Sequence, residues 1–574
     1  MEAEEKVVTC PFCSVGCRYL LRVEDGRAVE VVPLRGDEVS KGRLCLRGWS
    51  AYGLSLSSRP SLPEVGERGR REAVSWEEAV EFVARRLEGV VREHGPQSVL
   101  ILGSSLLPLE DIEAILSFAS ALGTPNADDP SRVERAALLG IGLPSLPPDL
   151  GRADLFVVVG SWLDLRSPIL ASDIMRSLKP VVAVGPVRDR MVRLSQVHLL
   201  TKPGGESATL SALLRAVGSI LKGRGRVSAP FGAPSPGIPM ERVEHVAGAI
   251  CEARRPAVVV SLGLSLIGSS SVVQLARALA EAVGGELILS PAFSNSMGAE
   301  VAGLRPADGG MAVWEALGRE PKRSPKAIIL FGDDPLLRLP DVASCRAALE
   351  GAELVVVAHF CPTESARFSH AFLPLAGPLE MERTTVNFWG RRTESPAVLS
   401  PNGRRTAREI LEEIAKRMGL SLGARWSPKP EGKPPKVEEL PVPEPVSPTD
   451  ERPFVLMLSP LYPWEGEPLA LCALPNLERE YSVRARDFPE GYLSISSEDA
   501  RRHRLRAWRR VKVASERGEA VLWLHISPEV PEGVAIVPFH LRGRVAEVLG
   551  EPQPDPLTGV PVLRPIPVSI EEAG

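Results

Sequence analysis

The chain has 574 residues, of which 44% are hydrophobic and 24% charged, with a formal net charge of −4 at pH 7. That length exceeds a single hydrophobic core and predicts roughly three or four domains. The near-balanced charge argues against nucleic-acid and membrane-surface partners, and no apolar run reaches the ~18 residues needed to cross a bilayer.

The acidic start, MEAEEKVV, lacks a signal-peptide or twin-arginine pattern. A cytoplasmic chain with no direct membrane insertion is therefore expected. The stretch TCPFCSVGCR then places Cys10, Cys13 and Cys17 close together, and Cys45 in GRLCLRGWS completes a C-x2-C-x3-C-x27-C pattern. Between them, alternating runs at Tyr19–Val23 and Ala28–Val32 flank Glu24-Asp25-Gly26-Arg27, a hairpin turn signal. Residues 1–58 read as a small β-rich domain around a metal centre. A structural zinc site is one chemistry for four thiols, but it usually shows two paired knuckles. A tight trio with one distant partner suits a [4Fe–4S] cubane, whose four irons each take one thiolate. Gly16, Gly42 and Gly48 would let amide N–H groups approach the sulfurs and raise the cluster potential.

From about residue 75 to 420, short β-branched runs alternate with amphipathic helical stretches. SVLILG (98–103), DLFVVVGS (154–161), KPVVAVGP (179–186), PAVVVSLG (256–263), KAIILFGDD (326–334) and AELVVVAHF (352–360) read as strands. This alternation predicts an α/β architecture with two doubly wound parallel-sheet domains, 59–124 plus 325–421 and 125–324. Such sheets bind ligands beyond the carboxyl ends of their strands. Gly160-Ser161 and Gly204-Gly205 are candidates for meeting nucleotide phosphates, or are simply turns. Asp333 and Asp334 are candidates for a guanine edge, or for capping the next turn. Residues 422–452 are rich in Pro and charge and read as a semi-rigid linker. Residues 453–574 alternate again and predict a C-terminal β-barrel-like domain. The basic run at 501–512 reads as a solvated face or as a docking patch for an acidic partner. Cys251, Cys345, Cys361 and Cys472 read as small core residues, and His198, His359, His370 and His540 as structural ones. No GxxxxGK[ST], GxSxG or GxGxxG motif is present.

The cysteine pattern with GRLCLRG resembles the N-terminal domain of the molybdopterin (Mo/W-bis-pyranopterin) oxidoreductase family. Cytoplasmic formate dehydrogenases and the G subunit of NADH–quinone oxidoreductase (complex I) look nearest. ALGTPNADDPSR (121–132), HLLTKPGGESATL (198–210) and VPFHLRGRVAEVLGEPQPDPLTGVP (537–561) are similar to further family stretches. The resemblance implies a cluster beside a Mo or W ion held by pterin dithiolenes and one protein ligand. It also implies a basic residue between cluster and pterin; Arg47 matches that position, and is otherwise an ordinary surface arginine.

Several positions depart from the family pattern. Where a formate dehydrogenase has Cys or selenocysteine followed by His, this chain has Glu134-Arg135, and no cysteine lies between 46 and 250. Glu134 is a conceivable oxygen ligand, although SRVERAALLG also reads as a charged helix face. Gly185-Pro186-Val187 replaces a nucleotide-contacting Asp-Pro-Arg type loop, and Ala546-Glu547 stands where an asparagine often meets the cofactor. The expectation is an iron–sulfur electron-transfer subunit of a multisubunit oxidoreductase with a degenerate or absent Mo/W site. One [4Fe–4S] cluster is expected, and a Mo/W-bis-pyranopterin guanine dinucleotide is allowed but disfavoured. Its partners would be flavin, iron–sulfur or hydrogenase/complex I-like redox subunits. A catalytic Mo/W enzyme of formate dehydrogenase type and a structural scaffold are the alternatives.

Overall fold

A computed structural model describes residues 4–55, 59–138, 150–222, 227–262, 269–319, 321, 323–430, 432–459, 486 and 489–573. The chain begins with a three-stranded antiparallel sheet, Glu4–Thr9, Arg18–Glu24 and Arg27–Pro33. The hairpin turns at Asp25 (φ 48°) and Gly26 (φ 72°), and positive φ at both central residues matches the strand twist. Tyr19, Leu21 and Val23 alternate inward and are buried.

Two doubly wound parallel sheets follow. One has the spatial order Val197–Leu200, Val181–Gly185, Leu155–Val159, Pro256–Ser261, Glu286–Ser290, with every neighbouring pair parallel. The other has five parallel strands in the order Ala371–Pro374, Leu354–His359, Ala327–Phe331, Val99–Leu102, Ala127–Asp128. An antiparallel hairpin, Glu64–Glu67 and Arg70–Ala73, extends its first edge. The chain thus leaves this sheet after Asp128, builds the five-stranded one and returns at Ala327. Strands covered by helices on both faces need no polar alternation, and all of Ala327–Phe331 and Leu354–His359 is buried. The longest of the described helices, Trp76–His94, starts where Ser75 and Glu78 cap each other reciprocally and ends at Gly95.

The C-terminal part closes into a six-stranded barrel of Phe454–Ser459, Val534–Pro538, Tyr492–Ile495, Glu519–Ile526, Arg510–Ala514 and Ile566–Glu572. A fully buried Arg542 docks it on the seven-stranded unit, donating to the carbonyls of Leu336 (2.6 Å) and Leu339 (2.6 Å). Residues 422–452 form a strap across the α/β body. Gly423 N donates to Ser117 Oγ (2.8 Å), Trp426 Nε1 to the Arg305 carbonyl (3.1 Å), and Val446 N to the Pro203 carbonyl (3.1 Å).

Two local expectations change. SRVER is no solvated helix face: in the short helix Arg132–Arg135, Val133, Glu134 and Arg135 are all buried. Cys251 is only half-buried, while Cys345 and Cys361 are buried as expected and Cys472 lies outside the described residues. The basic run at 501–512 is a solvated face, one of its two expected readings, with exposed arginines paired to acids: Arg501 on Glu498, Arg502 on Glu532, Arg506 on Glu572 and Arg510 on Glu490. No described helix is long and apolar enough to cross a membrane.

Candidate functional site

The four clustered cysteines meet at the base of the first hairpin. Cys10 N donates to the Cys17 carbonyl (2.7 Å), closing the loop that ends the first strand and begins the second. Gly16 must be glycine, since its φ is 69° and a Cβ there would stand 2.9 Å from Asn387 Cβ. Asn387 Nδ2 donates to the Val15 carbonyl (3.3 Å) and Phe388 N to the Ser14 carbonyl (2.9 Å), so a hairpin of the α/β body braces the loop from outside. Cys10, Cys13 and Cys17 are buried and Cys45 is half-buried, all as free thiols.

Burial pushes the Cys10 thiol up, and the neighbouring Cys13 and Cys45 raise it further by repulsion. Cys17 is likewise raised by burial and then by Cys10, Cys13 and Cys45. The four sulfurs are therefore mutual neighbours. Yet the only described trio of His, Cys, Asp or Glu ligand atoms within 4.8 Å of one another is Glu93, His94 and Glu353 on the surface. Sulfurs around a tetrahedral zinc would lie about 3.8 Å apart. The wider spacing fits a cubane standing between the thiolates. Backbone N–H groups of Phe12 and Val15 donate to Cys10 and Cys13, the kind of bond that stabilises a bound thiolate.

Arg47 is buried beside these thiols. Burial alone would weaken its guanidinium, but Cys13, Cys45 and Cys10 outweigh that and hold its pKa up. Its Nη2 donates to the carbonyls of Leu165 (3.2 Å) and Arg166 (3.1 Å), in the segment after the strand Leu155–Val159. Arg166 in turn directs Nη2 at both oxygens of Glu134, each at 2.8 Å, with both side chains buried. A chain of contacts thus runs from the cysteines through Arg47 and Arg166 to Glu134. Sequence reasoning missed Arg166, because nothing in SWLDLRSP sets one arginine apart until the fold delivers it to a buried carboxylate.

The loops at the carboxyl edge of the five-stranded sheet form the second part of the site. Gly160 (φ 89°) and Ser161 follow one strand, and a Cβ on Gly185 of the next would stand 3.1 Å from Ser161 Oγ, so these two loops touch. Asp189 locks them together, accepting from Trp162 N (2.5 Å) and Val192 N (3.0 Å). Gly204 (φ 77°) and Gly205 lead into the helix Glu206–Ile220, and the strap comes close there, with Pro445 Cβ 3.4 Å from a Cβ built on Gly205. The next residue, Glu206, is also new to this site. Burial pushes its carboxyl up to about 7. Its Oε2, with Thr201 Oγ1 and Ser207 Oγ in the same loop, is buried without a hydrogen-bond partner. Asp333 lies on the other sheet, where its Oδ1 accepts from Arg338 Nε (2.8 Å), while Asp334 caps the following turn through Leu336 N (2.8 Å).

Unpartnered buried acceptors at Glu206 and Thr201 suit a ligand that donates hydrogen bonds, so the nucleotide loop fits a pterin dinucleotide. The metal-ligand position does not: the Arg166 guanidinium lies 2.8 Å from both Glu134 oxygens and already neutralises that carboxylate, a cation where a metal would have to approach, and among the described residues no sulfur stands in its place.

A family model described as Molybdopterin oxidoreductase matches residues 59–417. The Molybdopterin oxidoreductase Fe4S4 domain matches residues 5–56, and the Molydopterin dinucleotide binding domain residues 477–566. The last match corrects the expectation that disfavoured a pterin dinucleotide, since the domain that binds one is present. The F420-dependent formate dehydrogenase 1 subunit alpha of Methanococcus maripaludis is 21% identical, with all of both chains covered. Formate dehydrogenase H of Escherichia coli is 24% identical over 73% of this chain and 69% of its own. The NADPH-Fe(3+) oxidoreductase subunit alpha of Geobacter sulfurreducens is 26% identical over 71% of this chain, which spans about half (55%) of that protein. Acetylene Hydratase from Pelobacter acetylenicus shares the fold, with a TM-score of 0.72 at 14% identity over 99% of this chain. A cluster domain first, a dinucleotide domain last and a matched body covering more than half the length between them place this chain in the molybdopterin oxidoreductase family.

Proposed function

We propose that this chain is an iron–sulfur electron-transfer subunit of a multisubunit, cytoplasmic oxidoreductase, in which the position of the Mo/W ligand has been given over to an internal ion pair. Cys10, Cys13, Cys17 and Cys45 would ligate one [4Fe–4S] cluster, which exchanges one electron at a time when bound. Buried amides and Arg47 hold negative charge on the thiolates and so favour the reduced state. Arg47 also fixes the backbone of residues 165–166 against the cluster. The observation carrying this reading is the buried Arg166–Glu134 pair, in which Nη2 of the guanidinium serves both carboxylate oxygens and its positive charge stands where a metal cation would have to approach. We further propose the units 1–58, 59–124 with 325–421, 125–324 and 453–574 as the domains, with Gly160, Ser161, Gly204 and Gly205 as cofactor-side backbone.

A second reading, a catalytic Mo/W enzyme of formate dehydrogenase type, is favoured by the unpartnered Glu206 carboxylate and by the names of the relatives. An EPR-monitored redox titration of the anaerobically purified chain separates the two. The relay predicts a single reversible one-electron signal that is lost in C13S and unchanged by formate. A Mo(V) or W(V) signal that responds to formate would contradict it.

A further inference from the structure

Of the four cluster cysteines only Cys45 is partly exposed, and the chain just beyond it carries apolar side chains in solvent. Leu46 is 57% exposed, Trp49 47% and Tyr52 37%. They project from the helix Leu46–Trp49 and the 3-10 turn Ala51–Ser55, while the opposite faces, through Arg47, Gly48, Ala51 and Leu54, pack inward. Scattered exposed leucines are ordinary, but three large apolar groups within seven residues, one a tryptophan, mark a contact surface.

The loop before Cys45 and the helix tied to it add positive charge. Arg35 and Lys41 are exposed and adjacent, since a Cβ on Gly42 would stand 3.1 Å from Arg35 Cα. Arg43 is ion-paired to Asp173 (2.5 Å), which ties this loop to the helix Pro168–Arg176 and its exposed terminal Arg176. Arg35, Lys41 and Arg176 make no ion pair among the described residues, unlike most of the arginines at 501–510. Of the nearby acids, Asp37 is buried, Asp164 is half-buried, and the exposed Glu38 is paired with Arg391. In a chain of net charge −4, this is a local patch of unpaired positive charge.

We infer that Leu46, Trp49 and Tyr52, with the basic residues around them, form the docking surface for a small acidic iron–sulfur protein that exchanges electrons with the cluster beside Cys45. This rests on the electron-transfer reading above. Electron transfer falls off exponentially with distance, so a partner must seat where the cluster comes nearest to solvent. A small apolar centre with a charged rim gives the weak, fast encounter typical of such pairs. One electron passes from the partner's reduced cluster to the oxidised cluster here; no bond is made or broken.

The test uses the full chain loaded with its cluster. Its reduction is followed by stopped flow, with a reduced acidic [4Fe–4S] ferredoxin as one donor and dithionite as the other. W49D and the double variant R35E/K41E should each slow the ferredoxin reaction about tenfold or more, with dithionite reduction unchanged. The native rate should fall as salt is raised, and R35E/K41E should flatten that dependence. Variants reduced by ferredoxin as fast as the native chain would overturn the docking surface and leave the relay standing. A native cluster that dithionite and ferredoxin both fail to reduce would overturn the relay itself. A native dimer that W49D converts to monomer would instead assign the patch to a second copy of this chain, and would also overturn the proposal.

Discussion

At the scale of single residues, the arrangement around Glu134 decides the chemistry. A carboxylate two residues after Arg132 invites a metal, but Arg166 reaches both of its oxygens in a buried setting. Breaking such a pair from one side leaves an uncompensated buried charge and costs about 3–5 kcal/mol, whereas replacing both members by apolar groups is often neutral. R166A should therefore lower the thermal midpoint steeply, and R166L/E134L should recover most of the loss. Equal losses for both variants would show that the pair is not the origin. Glu206 gives a pH dependence. Its carboxyl lies at about 7 in the fold against an ordinary 4.5, so between these values the folded chain holds a proton that the unfolded chain has released. Stability falls as pH rises through that window, by on the order of 3 kcal/mol in all. E206Q should melt above the native chain at pH 8, with the gap closing toward pH 4.5; a gap that does not vary with pH would contradict this. Neither residue was legible in the sequence, because a buried partner and an unpaired oxygen are tertiary facts.

At the scale of elements, the cysteine loop shows what local pattern can reveal. The trio Cys10, Cys13 and Cys17 and the Asp25-Gly26 turn could be read directly, since both are local in the chain, and Cys45 was legible from the residue pattern around it. The brace was not legible: Asn387 comes from a hairpin more than three hundred residues away in sequence and closes on Gly16. G16A should force that hairpin back and lower the iron content per chain, while the far barrel keeps its stability. Full iron loading in G16A would show that the close approach is dispensable. Over Arg132–Arg135 the charged residues suggested a surface helix face, but the fold supplies Asp129 and Glu300 for Arg135 and Arg166 for Glu134. Burial with partners and exposure to water look alike in a sequence.

At the scale of the whole molecule, the alternation of apolar runs with helices, the Pro-rich strap and the alternating C-terminal strands were sufficient for the architecture. Parallel sheets buried on both faces write near-continuous apolar runs rich in β-branched residues, such as LVVVA within Leu354–His359. The pairing of early with late strands in the seven-stranded sheet, and the strap's route over Pro203 and Arg305, depend on contacts too distant to be read from composition. The same long-range packing brings a cluster loop that fits, a nucleotide loop that fits and a metal position that does not into one body. Metal analysis of the anaerobically purified chain tests that combination most directly. About four irons per chain with molybdenum and tungsten far below one is the predicted result; molybdenum or tungsten near one per chain, with extractable pterin, would contradict it.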